Sequence, residues 1–309
     1  MQFPPAFLKR AIDAVDRAQQ KSPITAFPIG VLKRYGDDRG GMYAALITFY
    51  ALLSVFPLLL LFVTIASMIL GANSAAEKRL VNSAFEHFPV VGSQLANSIH
   101  ALSSNSWPAF VVSLLFLLWG ALGVTSALQM ASHHAWRRPR KEEPNLLIRT
   151  WRGLRLLGII ASAVVLTTVA SGFISSGVLR SFPGILRVVL LVAVIAVNAG
   201  AYFLALRTLA PPEEGWKSLL PGTIVGTIGW TVLQQAGGYL LSHQLQHTSQ
   251  IYGFFAIVLG LIFWLNLGAQ LFLYSSEINI VAAQGGWPRS FFEPSDEVKV
   301  ELANEQSEY

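Results

Sequence analysis

Residues 218–276 read SLLPGTIVGTIGWTVLQQAGGYLLSHQLQHTSQIYGFFAIVLGLIFWLNLGAQLFLYSS, and no Asp, Glu, Lys or Arg interrupts them. At ~1.5 Å per residue one helix of that length would run about 90 Å, three times the ~30 Å hydrocarbon core of a bilayer. The stretch must therefore turn back on itself. Its polar island, Ser242 to Gln250, supplies the turn and leaves two apolar helices, Leu219–Leu241 and Tyr252–Val281.

The rest of the chain extends the pattern. Only 13% of the 309 residues are charged and 53% are hydrophobic, against about 25% charged in soluble domains. No Lys or Arg lies between Gly40 and Ala76 or between His87 and Trp136. Four further apolar segments, Tyr43–Leu70, Trp107–Met130, Leu154–Leu179 and Ile185–Leu206, are each long enough to cross with some tilt. The reading is an all-α, polytopic integral membrane bundle of six transmembrane helices. A soluble enzyme and a disordered chain are excluded by composition. The absence of cysteine removes disulfides, thiolate metal sites and thiol catalysis.

Charge placement orients the bundle. An even number of spans puts both termini on one side. Eighteen of the 22 Lys and Arg fall in the N-terminal segment, the Arg137–Arg155 region, the region between the fourth and fifth spans, and the C-terminal tail. Only Lys78, Arg79, Arg180 and Arg187 fall on the other side. Positive charge accumulates on the cytoplasmic side, so both termini are expected there, in a bacterial inner membrane. Three regions follow: a cytoplasmic amphipathic segment (1–42), the membrane domain (43–283) and an acidic cytoplasmic tail (284–309).

No secretory signal precedes the first span, which reads as an uncleaved anchor. In the N-terminal segment, Phe7, Leu8, Ala11, Ile12, Val15 and Ala18 share one helical face. That face suits either the inner leaflet or the protein's own cytoplasmic surface.

Polar groups at membrane depth face protein or serve a function. Asn266, Gln270 and Glu277 fall within about 40° of one line on a helix of ~100° per residue, a polar stripe on the sixth span. Glu277 reads either as a relay or headgroup contact, or as one half of an interhelical hydrogen bond or ion pair. A second stripe on the first span holds Tyr50, Ser54 and Pro57, with a kink expected at the proline. Those six residues are the candidate substrate path. Gly222, Gly226 and Gly229 on the fifth span form a small-residue face for close helix packing, within the protomer or in a homo-oligomer.

Arg137, Arg138, Arg140, Lys141, Arg149 and Arg152 form the densest cationic cluster. Anionic inner-leaflet headgroups are its expected partner, since each cation near that surface contributes about 1 kcal/mol. Trp136 and Trp151 beside it read as interfacial anchors rather than base-stacking platforms, so no nucleic-acid partner is expected. The acidic pairs Asp37–Asp38, Glu142–Glu143 and Glu213–Glu214 read as solvated span ends. His243 and His247 have a helical metal-ligand spacing but no carboxylate in their loop. No catalytic constellation, metal site or cofactor motif is present in the sequence, and the chain is expected not to be an enzyme.

Several stretches resemble the YihY/BrkB family of bacterial inner-membrane proteins. They are Ala44–Leu59 (AALITFYALLSVFPLL) after Asp38-Arg39-Gly40, Leu118-Trp119-Gly120-Ala121, Trp216–Gly222 (WKSLLPG), Ile251-Tyr252-Gly253 and Ser276-Glu277-Ile278-Asn279. Where the family more often has Gly-Ala before that Glu, this chain has Ser275-Ser276. The resemblance spans about Val31 to Ala283 and implies six helices in an inner membrane. Members have been labelled a tRNA-processing ribonuclease (ribonuclease BN) and a serum-resistance or virulence factor. The residues give the first label no support, because a nuclease needs a carboxylate cluster or an acid/base pair on a water-exposed fold. The expected function is transport or flipping of an amphipathic or lipid-like envelope component; the alternative is a non-transporting scaffold for envelope assembly.

Overall fold

The computed structural model describes residues 23–70, 106–137, 145–175, 184–244 and 253–284. The amphipathic stretch Phe7–Ala18, Arg138, Arg140, Lys141, His247 and the acidic tail lie outside them. Among the described residues every regular element is helical. A short helix α1 (Pro23–Asp37) precedes six long ones: α2 (Gly40–Leu70), α3 (Ser106–Ala135), α4 (Leu146–Ser175), α5 (Gly184–Leu209), α6 (Leu220–Gln244) and α7 (Gly253–Gln284). A 3₁₀ turn, Trp216–Leu219, leads into α6.

The six long helices coincide with the six apolar segments, with longer ends in places. Thus α3 continues past Met130 to Ala135, and α4 starts at Leu146 instead of Leu154. The reason is local: helical backbone continues through the polar flanks, where Arg149 near the start of α4 bonds Ser126 of α3. Among the described residues three helices carry segments long and apolar enough to cross a bilayer, at Phe110–Ala135, Val188–Leu209 and Val258–Gln284, and Gly40–Val55 is a shorter apolar stretch.

Each long helix packs against the next, and α7 returns to α2, so the six form a closed ring. Contacts at one end set the directions. Ser132 near the end of α3 donates to Leu209 O at the end of α5 (3.0 Å), and Gln129 of α3 donates to Arg149 O at the start of α4 (3.2 Å). Gly222 at the start of α6 donates to Asn279 near the end of α7 (2.7 Å). The starts of α2, α4 and α6 thus meet the ends of α3, α5 and α7. The ring runs up and down.

The outer faces stay apolar and open: Phe49, Leu115, Trp119, Val192, Ile228 and Phe263 are all exposed. A soluble monomer rarely leaves so much apolar surface uncovered; around a helical ring it is the surface lipid covers. The interior is lined by small residues, with Ala44, Ala127, Ala131 and Ala269 in one buried cluster. Van der Waals packing and interhelical hydrogen bonds hold such a bundle, because lipid gives no hydrophobic drive for one helix to join another.

Candidate functional site

The end where the helices meet holds the densest polar chemistry, and α1 brings it there. Along α1 and into the turn that follows it, Ala26, Gly30, Arg34 and Asp38 recur every fourth residue and all are buried. The chain reverses at Asp38-Arg39-Gly40, with Arg39 in the left-handed region at φ 54°. A side chain at position 40 would overlap the Tyr35 ring, so only glycine lets α1 fold so closely on the start of α2. Tyr35 then stacks on Tyr274 of α7, ring centroids 4.0 Å apart.

This turn carries Arg34 into the bundle. Its Nη2 donates to Ala135 O at 2.9 Å, a carbonyl at the end of α3 with no helical partner of its own. Its Nε lies 3.4 Å from Asp38 Oδ2 and 3.5 Å from Glu277 Oε2, and the three side chains are 2%, 7% and 5% exposed. Glu277 therefore meets the arginine of a helix packed on the bundle. Asp38 is not a solvated span end. It is a buried member of the same cluster, because the reversal at Arg39-Gly40 turns it inward.

Burial pushes the Asp38 carboxyl above its ordinary range, while Arg34, Arg137 and His134 pull it down. Burial, with Tyr274 and Glu277 beside it, pushes the Tyr35 phenol up to about 12. A cavity of about 10 Å³, roughly the room one water needs, adjoins both carboxylates and is walled by Tyr43, Ser132, Ser276 and Phe272.

A second polar feature lies deeper. Gln270 donates to Asn266 (2.6 Å), Asn266 donates to Thr48 Oγ1 (3.2 Å), and Thr48 donates to Ala44 O (2.7 Å). The stripe of α7 thus joins α2 through Thr48. Tyr50 and Ser54 lie elsewhere: two residues from Thr48 is about 200° around the helix, and there they occupy the hollows left by Gly123 and Gly120 of α3. The two stripes face different neighbours. Pro57 sits within α2, which runs through it to Leu70.

The remaining candidate residues are spread around the ring. A Cβ at Gly222 would overlap Ser275 O and Asn279, one at Gly226 would overlap Tyr202 and Ser275, and one at Gly229 would overlap Leu271. Their face is filled by α7 and α5 of the same chain. Arg149 bonds Ser126 of α3. Arg152 is half-buried on α4, and Arg137 takes the left-handed turn after α3 at φ 52°. Leu146, Leu147 and Trp151 lie exposed next to these arginines, the mixture found at a membrane–water interface.

Three important residues escape a reading by hydropathy: Arg34, Asp38 and Asn279. The four-residue recurrence of Ala26, Gly30, Arg34 and Asp38 is the signal for two of them, since a charge in line with small residues faces a packed surface. Asn279 caps the start of α6 from across the interface, accepting from one of the backbone N–H groups a helix start leaves unpaired.

The family model described as Virulence factor BrkB matches residues 31–292, from α1 to beyond α7. The chain belongs to the BrkB family. An uncharacterised protein of Dickeya dadantii is 27% identical, over 82% of this chain and 81% of that protein. Inner membrane protein YhjD of Escherichia coli is 22% identical, over 82% and 80%. A UPF0761 membrane protein of Methylibium petroleiphilum is 26% identical over 80% of this chain, and the match spans 59% of that longer protein. No solved structure gives a significant match. The matched region of this BrkB-family chain includes the Arg34–Asp38–Glu277 cluster, the Thr48–Asn266–Gln270 line and the Asn279 cap.

Proposed function

We propose that this membrane protein spans the bacterial inner membrane six times, with both termini cytoplasmic, and moves or flips an amphipathic or lipid-like envelope component. The up-and-down ring supports the six crossings. The cationic bias supports the orientation, because the end where α2, α4 and α6 start is the end that carries Arg137, Arg149 and Arg152. Similarity to an E. coli protein named as an inner membrane protein supports the location.

The observation that carries the transport reading is the hydrogen-bonded line Gln270–Asn266–Thr48 between α7 and α2. Amide side chains inside a bilayer are costly and concentrate where polar groups pass. On this reading the path runs between α2 and α7 and the Arg137/Arg149/Arg152 cluster holds anionic headgroups. The protein is then neither an enzyme nor a nucleic-acid binder.

Vesicles reconstituted with the protein and a fluorescent anionic phospholipid test it. The wild type should expose inner-leaflet probe to an external quencher, and Asn266→Ala and Gln270→Ala should lose that activity while remaining monodisperse. Lipid movement equal to that of protein-free vesicles would overturn the reading.

A scaffold is the second reading. The close fit of Tyr50 and Ser54 against Gly123 and Gly120 favours it, since part of the candidate path is occupied by packing. Crosslinking in cells that captures a partner dependent on the exposed arginines, with no lipid movement, would favour it.

A further inference from the structure

Polar side chains on the outward faces of the ring keep their hydrogen bonds within their own helix where they can. On α4, exposed Thr150 and Ser162 each donate to a carbonyl three or four residues earlier. Gln234 and Gln235 of α6 differ. Both are exposed, and neither makes a hydrogen bond among the described residues. Helix α6 runs from Leu220 to Gln244, so its midpoint falls at Val232 and Gln235 stands about 4.5 Å beyond it. In a hydrocarbon core of ~30 Å that leaves about 10 Å to the nearer headgroups. Lipid chains offer an amide nothing to bond, and the group stays costly until another polar group meets it.

The surroundings of Gln235 say what meets it. Ile224, Ile228, Thr231 and Gln235 are spaced four, three and four residues apart, within about 60° of one line. Ile224 and Ile228 are 56% and 61% exposed. Val225 and Val232 on one flank and Gln234 on the other are exposed too. This face lies opposite Gly222, Gly226 and Gly229, whose side is filled by α7 and α5. A four–three spacing is the seam of helices that pair at about 20°, in membranes as in water, and a lone polar residue in such a seam fixes its register.

We propose that the protein forms a homodimer through this outward face of α6, with Gln235 of each copy hydrogen-bonded to Gln235 of the other across a two-fold axis normal to the bilayer. Copies of one chain stand the same way up in a membrane. The two α6 helices therefore run parallel, and each seam residue faces its own counterpart. An amide suits that symmetry because it carries both a donor and an acceptor, so each Gln235 can donate to the other and accept from it. A charged residue would repel itself there, and residues 218–276 contain none. The inference rests on α6 crossing the bilayer and is independent of what the protein moves.

Two measurements on the full-length protein in phosphatidylethanolamine–phosphatidylglycerol vesicles test it. In the first, energy transfer between donor- and acceptor-labelled copies follows association as the protein is diluted into lipid. The labels attach through Gly215→Cys, the one thiol in a chain that has no cysteine, at a position with nothing within 4 Å of an added Cβ. Gln235→Leu removes no contact described within the protomer and should unfold no earlier than wild type, yet it should need about 5–30-fold more protein per lipid for half-association. In the second, oxidation should join Ile224→Cys or Ile228→Cys copies into disulfide-linked dimers. Val192→Cys on the exposed face of α5 is the control and should stay monomeric. Energy transfer no greater than random collision at every density overturns the proposal. So does association unchanged by Gln235→Leu, or crosslinking through Val192→Cys equal to that through the seam. Failure of the crossing itself shows differently: the loops at the two ends of α6 would then react with an impermeant thiol reagent from the same side, whereas failure of the dimer alone leaves them on opposite sides.

Discussion

Gly222→Ala is the substitution whose cost the geometry specifies most closely. A Cβ there would lie 2.6 Å from Asn279 Oδ1 and closer still to Ser275 O. Carbon–oxygen contacts between packed helices settle at about 3.3–3.6 Å, so the start of α6 must withdraw from α7 by roughly 1 Å. The Gly222 N–H to Asn279 Oδ1 bond begins at 2.7 Å; an added ångström takes it past hydrogen-bond range. A buried donor and acceptor left apart cost about 1–3 kcal/mol, and the overpacking about 1–3 kcal/mol more. Alanine recovers up to about 1 kcal/mol through its better helix propensity. With that full recovery the net expectation is a loss of about 1–5 kcal/mol. Gly200 of α5 is the control, because nothing lies within 4 Å of a Cβ built there. Thermal unfolding in detergent, followed by fluorescence-detected size exclusion, should show Gly222→Ala well below the wild type and Gly200→Ala at or above it. If the two variants unfold at the same temperature, the close approach of α6 and α7 does not hold the bundle.

Arg34→Met leaves two buried carboxylates without their guanidinium; about 3–5 kcal/mol should be lost, read as faster hydrogen exchange across 23–37, and adding Asp38→Asn and Glu277→Gln should recover most of it. Asn266→Leu should cost only about 1 kcal/mol of stability, since hydrogen bonds between membrane helices average near ~0.6 kcal/mol, yet abolish lipid movement; a proportionate small loss of movement would argue for a structural role. For topology, Gly215→Cys in the exposed loop before α6 should stay unlabelled by an impermeant thiol reagent in intact cells, whereas Ser249→Cys, in the polar sequence stretch expected to separate the last two spans, should be labelled. The reverse pattern would invert the orientation.

The bundle was readable because its cause is one-dimensional. Apolar runs separated by polar turns mark where helices lie, and residues 218–276 alone require a reversal. The site was readable only in part because helical periodicity shows which residues share a face and not which neighbour that face meets. Asn266 and Gln270 were aligned correctly, but their junction with Thr48 depends on how α2 is rotated in the ring. The same rotation turns Tyr50 and Ser54 toward Gly123 and Gly120, so two stripes that looked like one path have different neighbours. Glu277 stood out as an isolated carboxylate within a span. Its partner Arg34 belongs to a helix whose short length and mixed character give hydropathy little to detect. Asp38 followed the usual pattern of a solvated acidic pair, and only the reversal at Arg39-Gly40 turns it inward.

The segment Ser276-Glu277-Ile278-Asn279 has a bearing on how the protein is made. Glu277 and Asn279 stand two residues apart, on opposite sides of α7, and hold α1 and α6 respectively. At 5–20 residues per second, ribosomal synthesis reaches Glu277 roughly 10–50 s after Arg34. Until α7 is made, α1 lacks its contacts to that helix, α6 has no cap from Asn279, and the ring has a gap between α2 and α6. A chain that stalls or is cut before α7 leaves the bilayer with an unclosed ring, in which Arg34 has Asp38 and the end of α3 to hold it but not Glu277.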